Sequence, residues 1–186
     1  MYRIVFTGAQ STGKTTVLNE LKETGANIIT EVVRQLNKKG VKINKDGDEK
    51  GQNKIFKVYK DLLSEWDKNG YISDRGLLDV MAYTKYLVDH GNCSKTVLDK
   101  QMKQFAKFRS ENPDIMYCYF PIEFDVVADG VRDTDEEFRK EIDENIQNIM
   151  KQMGITPIKI TGTVEERVIK VKRAIRWIYE GIALRL

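Results

Sequence analysis

The chain has 186 residues, a length that suits one domain better than two, and 41% apolar with 32% charged residues places it among globular rather than disordered or membrane chains. Thirty-one Lys and Arg against 28 Asp and Glu leave a net charge of +3, too small an excess to mark a nucleic-acid binder by itself. Two cysteines and one histidine exclude a disulfide framework, a multi-thiolate zinc site and a His-rich metal centre.

The first residues, Met1 to Gly8, lack the apolar core and cleavage site of a signal peptide. The longest apolar stretch, Ile115 to Ile122, contains Pro121 and falls far short of the roughly 18–20 residues of a spanning helix. The reading is of a reduced, cytoplasmic protein with no membrane span.

Apolar runs alternate with helical patterns along the chain. Tyr2–Thr7 reads as a buried strand, followed by a glycine loop and a helix over 14–23. Ala26–Thr30 reads as a second strand and 31–39 as a helix. Residues 40–51, rich in Lys, Asn, Asp and Gly, predict a mobile loop. Ile55, Tyr59, Leu62, Leu63 and Trp66 then form a helical stripe over 52–67. Tyr71–Asp74 is a third strand, Leu77–Leu87 a helix, and Ser94 a cap for a helix carrying Leu98, Met102 and Phe105. Ile115–Phe120 has the continuous apolar character of a central parallel strand. A long helix through Phe138, Ile142, Ile146 and Ile149, a strand at 156–161 and a last helix from about Val164 complete the chain. Five strands separated by helices predict an α/β fold, a parallel sheet covered on both faces, in a single domain over 1–186.

Gly8-Ala9-Gln10-Ser11-Thr12-Gly13-Lys14-Thr15 matches G-x-x-x-x-G-K-[ST] at every position, directly after a strand and opening a helix. The glycines let the backbone wrap a phosphate, and amides of the loop and helix start, through Thr16, serve as donors. Lys14 is expected to reach the β- and γ-phosphates of a nucleoside triphosphate and Thr15 to bind Mg²⁺. The same pattern makes ATP and Mg²⁺ the expected cofactors.

Ligands of open α/β sheets bind beyond the carboxyl ends of the strands, so the remaining strand ends supply the other candidates. After strand two, Glu31 is placed to orient or accept a hydroxyl proton, and Arg34, one turn later, to hold the acceptor. Structurally, the same pair reads as a helix-start acid and a solvated arginine. After strand three, Asp74 stands where a carboxylate holds Mg²⁺ and Arg75 where it can touch a transferred phosphate; a capping Asp in an Asp-Arg-Gly turn is the alternative. After strand four, the segment 125–141 reads as a lid, with little apolar anchorage beyond Phe138, carrying Arg132 and Arg139 toward the γ-phosphate. Surface pairing with Asp133, Asp135, Glu136 and Glu137 is the competing reading. Arg167, Lys170, Arg173 and Arg176 form a basic stripe on the last helix, read as a solvated face or else as a nucleic-acid or partner surface.

The run Thr7 to Thr16, Glu31-x-x-Arg34, Ser73-Asp74-Arg75-Gly76-Leu77-Leu78-Asp79 and Asp129-Gly130-Val131-Arg132 together give the chain a family likeness. It resembles the small P-loop kinase-like family labelled as an AAA domain, and within it the ribosylnicotinamide kinase module of bifunctional NAD-biosynthesis regulators. Asp74-Arg75 with Ala82-Tyr83 is also similar to the signature of thymidylate kinases, and Glu31 is placed like the base of deoxynucleoside kinases. Gly76 departs from the residue that follows Asp-Arg in nucleotide kinases, and the adenylyltransferase domain that precedes the kinase in the regulators has no counterpart in this sequence. The resemblance implies a five-stranded sheet in the order 2-3-1-4-5.

These residues lead to an expected phosphotransferase, moving the γ-phosphoryl of ATP to a hydroxyl of a nucleoside-like small molecule. A nucleic-acid 5′-hydroxyl kinase and a non-catalytic ATP-binding regulatory module are the alternatives. A switch GTPase is disfavoured because Asn44-Lys45-Asp46 misses N-K-x-D by one residue.

Overall fold

The computed structural model describes residues 2–22, 25–65, 70–124 and 135–179. The strands are β1 (Arg3–Thr7), β2 (Ile28–Ile29), β3 (Tyr71–Asp74), β4 (Met116–Tyr119) and β5 (Ile158–Lys159). They form a parallel sheet in the order β2-β3-β1-β4-β5. The helices are α1 (Lys14–Lys22), α2 (Val32–Lys38), α3 (Glu49–Glu65), α4 (Leu77–Asp89), α5 (Lys95–Glu111), α6 (Glu136–Gln152) and α7 (Val164–Tyr179).

Side chains alternate across a strand, so each strand feeds two cores. Ile4 and Phe6 of β1, Ile72 of β3 and Cys118 of β4 pack with Phe120 under Val17, Leu18 and Leu21 of α1 and Val171 of α7. Val5, Tyr71, Tyr117 and Tyr119 face the other way, into a larger core closed by helices α2 to α6. Both faces are covered, as an all-parallel sheet requires.

Two local expectations change. Residues 40–51 are not a featureless loop: Val41 is buried, Asn44–Asp46 forms a 3₁₀ turn, and α3 begins at Glu49. Ser94 takes the position before α5, but its side chain makes no capping bond; its backbone N–H donates to Glu49 Oε1 at 2.7 Å. Trp66 lies outside the described residues.

Candidate active site

β1 is flanked by β3 and β4, so the loop after it emerges between the ends of three strands. Gly8 has φ +148° and passes so close to β4 that a Cβ there would lie 2.4 Å from the Phe120 carbonyl oxygen. Left-handed φ at Ser11 (+58°) and Gly13 (+84°) curls the loop in the manner of an anion-binding nest. Lys14 is 5% exposed and folds back onto the loop. Its ammonium donates to the carbonyls of Gly8 (2.9 Å) and Ala9 (2.6 Å) and to Thr12 Oγ1 (3.0 Å). Burial, and after it the Arg75 charge, pull its pKa down to about 7.

The end of β3 faces this loop. Thr15 Oγ1 lies 3.5 Å from Asp74 Oδ2, and Asp74 Oδ1 is buried with no hydrogen-bond partner among the described residues. A hydroxyl beside an under-satisfied carboxylate suits a hard, oxygen-seeking cation such as Mg²⁺, which takes few protein ligands and completes its shell with phosphate and water. Gln10 Nε2 and Ser11 Oγ are likewise buried without a partner among the described residues, as groups lining a ligand site are.

Arg75, at φ +72°, turns its guanidinium back toward the loop. Nη1 donates to the Gly8 carbonyl at 3.1 Å and to Asp79 Oδ1 at 3.3 Å, and the group lies 5.4 Å from the Tyr83 ring centroid. Asp79 is 1% exposed and also accepts the backbone N–H groups of Gly8 and Gly76, each at 3.2 Å. Burial raises its pKa, against the pull of Arg75 and Lys14. Neither Asp79 nor Tyr83 was singled out by pattern as a site residue, although the spacing Arg75-x-x-x-Asp79 on a helix start is the visible signal.

Glu31 adopts φ +62°, ψ 10° before α2, a conformation that costs a non-glycine residue of order 1 kcal/mol or more. It pairs with Arg34 at 3.4 Å. A cavity of about 220 Å³ brings the predicted residues together. Gln10 to Thr16 form one wall, and Glu31, Arg34, Asp74 and Arg75 another; Val32, Val33, Ile43, Ile55 and Val80 give it an apolar side, with Gln52 and Tyr59 as polar insertions.

The arginines differ from expectation. Arg132 and the rest of 125–134 lie outside the described residues. Arg139 does not extend from a lid toward the cavity. It sits one turn into α6, beside the buried Phe138, with no solvent exposure, and donates to the carbonyls of Gln10 (3.1 Å), Ser11 (3.2 Å) and Phe124 (2.8 Å). Phe138 packs edge-on against Tyr86, ring centroids 4.6 Å apart, and this anchors the helix start. Arg167 is not part of a solvated stripe either: it is 3% exposed, donates to the Thr12 carbonyl at 2.7 Å and pairs with Glu123. Lys170 is engaged by the Thr161 carbonyl and hydroxyl.

A parallel sheet in this order, with a phosphate loop between β1 and α1, is the kinase-like P-loop NTPase fold. The chain belongs to the AAA domain family, whose model matches residues 3–167. Among curated proteins, none matches the sequence. Among solved structures, deoxyadenosine kinase from M. mycoides, with dCMP and a flexible dCDP bound, is similar with a TM-score of 0.63 at 17% identity, over 94% of this chain and 98% of that one. The NadR protein in complex with NAD and AMP-PNP is similar at 0.71 and 14% identity, and its complex with NR at 0.70 and 14%. The match takes in all of this chain and 51% and 52% of those chains, so the chain spans about half the length of the NadR proteins.

Proposed function

We propose that the protein is an ATP- and Mg²⁺-dependent kinase that transfers the γ-phosphoryl group to a hydroxyl of a nucleoside-like small molecule. The observation that carries this reading is the single cavity joining the phosphate loop to Glu31, Asp74 and Arg75 on one side and to an apolar wall on the other. A hydrolase needs only the first part; an apolar second half suits an organic acceptor. The similar structures with dCMP or NR bound support an acceptor of nucleoside type.

In this scheme the loop amides and Lys14 bind the β- and γ-phosphates, Lys14 exchanging its carbonyl partners for phosphate oxygens. Thr15 and Asp74 would hold Mg²⁺, which would supply neutralising charge at those phosphates. Glu31 takes the proton of the acceptor hydroxyl as its oxygen bonds to the γ-phosphorus and the bond to the bridging β–γ oxygen breaks, leaving ADP. Arg34 holds the acceptor, and Arg75, beside the loop, touches the transferred phosphate. Arg132 retains its proposed place as the residue that reaches the transferring group.

Incubation with radiolabelled ATP, a panel of nucleosides including ribosylnicotinamide, and a 5′-hydroxyl oligonucleotide tests the reading. Label on a nucleoside supports it. Label on the oligonucleotide alone makes the protein a nucleic-acid kinase, and nucleotide binding with transfer to none of them makes it a regulatory module.

A further inference from the structure

A loop that turns its N–H groups toward a phosphate turns carbonyls the other way, and buried carbonyls need donors. Here the carbonyls of three consecutive loop residues are each met by an arginine from outside the cavity. Arg139 Nε reaches Gln10 O at 3.1 Å and its Nη2 reaches Ser11 O at 3.2 Å, while Arg167 Nη1 reaches Thr12 O at 2.7 Å. Neither arginine lines the cavity. Arg139 comes from the first turn of α6 and Arg167 from the first turn of α7, so helices on opposite faces of the sheet converge on one loop.

Both guanidinium groups are buried, at 0% and 3% exposure, which is costly unless each is satisfied. Arg139 has Glu136 at 3.1 Å and also donates to Phe124 O at 2.8 Å. Arg167 has Glu123 and donates to Gly162 O at 2.8 Å. A Cβ on Gly13 would come 2.7 Å from Arg167 Nη1, so the glycine admits the arginine as well as the turn.

We infer that Arg139 and Arg167 are positioning residues for the phosphate loop: from behind, they fix the carbonyls of Gln10, Ser11 and Thr12 and so set the direction of the amides in front. The inference rests on the phosphate-binding part of the proposed function and is independent of the acceptor.

The test uses the full chain and the variants Arg139→Lys and Arg167→Lys, with Mg²⁺–ATP and inorganic tripolyphosphate as calorimetric probes. Lysine keeps the charge and loses the forked geometry. Each variant is expected to bind both probes about tenfold more weakly, the order of loss that displacement of positioning groups produces. A residue that merely stabilised the fold would lower Tm and leave the affinity of the folded protein unchanged. Wild-type affinity in both folded variants therefore overturns the inference, whereas a wild-type protein that binds neither probe overturns the proposed function instead. If neither variant folds, backbone order parameters of the wild type decide: values for residues 10–13 far below those of β1 contradict a loop held by buried arginines, and comparable values support it.

Discussion

Asp79 Oδ1 lies 3.2 Å from the backbone nitrogen of Gly8, so a carboxylate on the first turn of α4 accepts the N–H at the mouth of the phosphate loop. The other oxygen accepts the N–H of Gly76, and Arg75 adds a charge partner at 3.3 Å. One side chain thereby joins the end of β1 to the end of β3.

Removal of that side chain leaves the buried N–H groups of Gly8 and Gly76 without their acceptor and takes the charge partner from the partly exposed Arg75, which keeps the Gly8 carbonyl. Asp79→Ala is expected to lose about 2–4 kcal/mol of unfolding free energy, the order of cost for two buried donors left unpaired. Asp79→Asn keeps the shape and one acceptor and is expected to lose about 1–3 kcal/mol. Urea unfolding of the two variants checks the order; equal loss would show that volume rather than hydrogen bonding matters here.

The phosphate loop was legible in the sequence because its parts are local: glycines at Gly8 and Gly13, Lys14 and Thr15 act through spacing along one short stretch. Strands and helices were legible for the same reason, since hydrophobic periodicity is a local signal. The strand order was not in the periodicity, and it came from family resemblance. Arg139 and Arg167 show the limit most clearly. Arg139 reads as a lid arginine or a surface pair and Arg167 as part of a basic stripe, yet each bonds to a carbonyl 129 or 155 residues away. The segment 40–51 failed for a related reason: its polar composition hid Val41, Ile43 and Asn44, which pack toward the core or line the cavity only once α3 is in place.

Lys14 imposes a pH dependence on stability. Burial holds its folded pKa near 7, against 10.5 for a free lysine. Between those values the unfolded chain carries a proton that the folded chain does not, so stability rises with pH across that window. Below pH 7 the full cost of burying the ammonium is present. Lys14→Met is therefore expected to be more stable than wild type at pH 6, by about 1–3 kcal/mol, and to lose part of the rise between pH 7 and 10 while phosphoryl transfer disappears. Urea unfolding at pH 6, 7.5 and 9 measures both; parallel curves for the two proteins would contradict the assignment.

The 3₁₀ turn at Asn44–Asp46 starts at the apolar wall of the cavity. Ile43 and Asn44 line it, while Lys45 pairs with Asp135, the residue that caps α6, and lies 5.4 Å from the Phe138 ring centroid. Lys45→Ala is expected to loosen the acceptor wall and raise the KM for the acceptor about threefold, a small effect because the pair is half-exposed, with kcat and the KM for ATP near wild type. A change confined to ATP would place the turn on the donor side instead.

Glu31 and Asp74 both present carboxylates to the cavity, and their surroundings assign them different work. Asp74 sits against the Thr15 hydroxyl with one oxygen unsatisfied among the described residues, whereas Glu31 is half-exposed, paired with Arg34 and held at a strained positive φ. Strain retained at a cavity-lining position is a mark of function. Asp74→Asn is expected to raise the Mg²⁺ concentration needed for half-maximal rate, with the rate recovering at high Mg²⁺. Glu31→Gln keeps the backbone strain and removes the base, so kcat is expected to fall on the order of 10²-fold or more at any Mg²⁺ concentration. Glu31→Gly removes the strain as well, and stability is expected to hold or rise by up to about 1 kcal/mol while the rate is lost. Rate profiles against Mg²⁺ and the melting curves of the three variants separate the roles. Rescue of Glu31→Gln by excess Mg²⁺ would exchange the two assignments, and a destabilised Glu31→Gly would show that the Arg34 pair, rather than catalysis, holds Glu31 in its left-handed conformation.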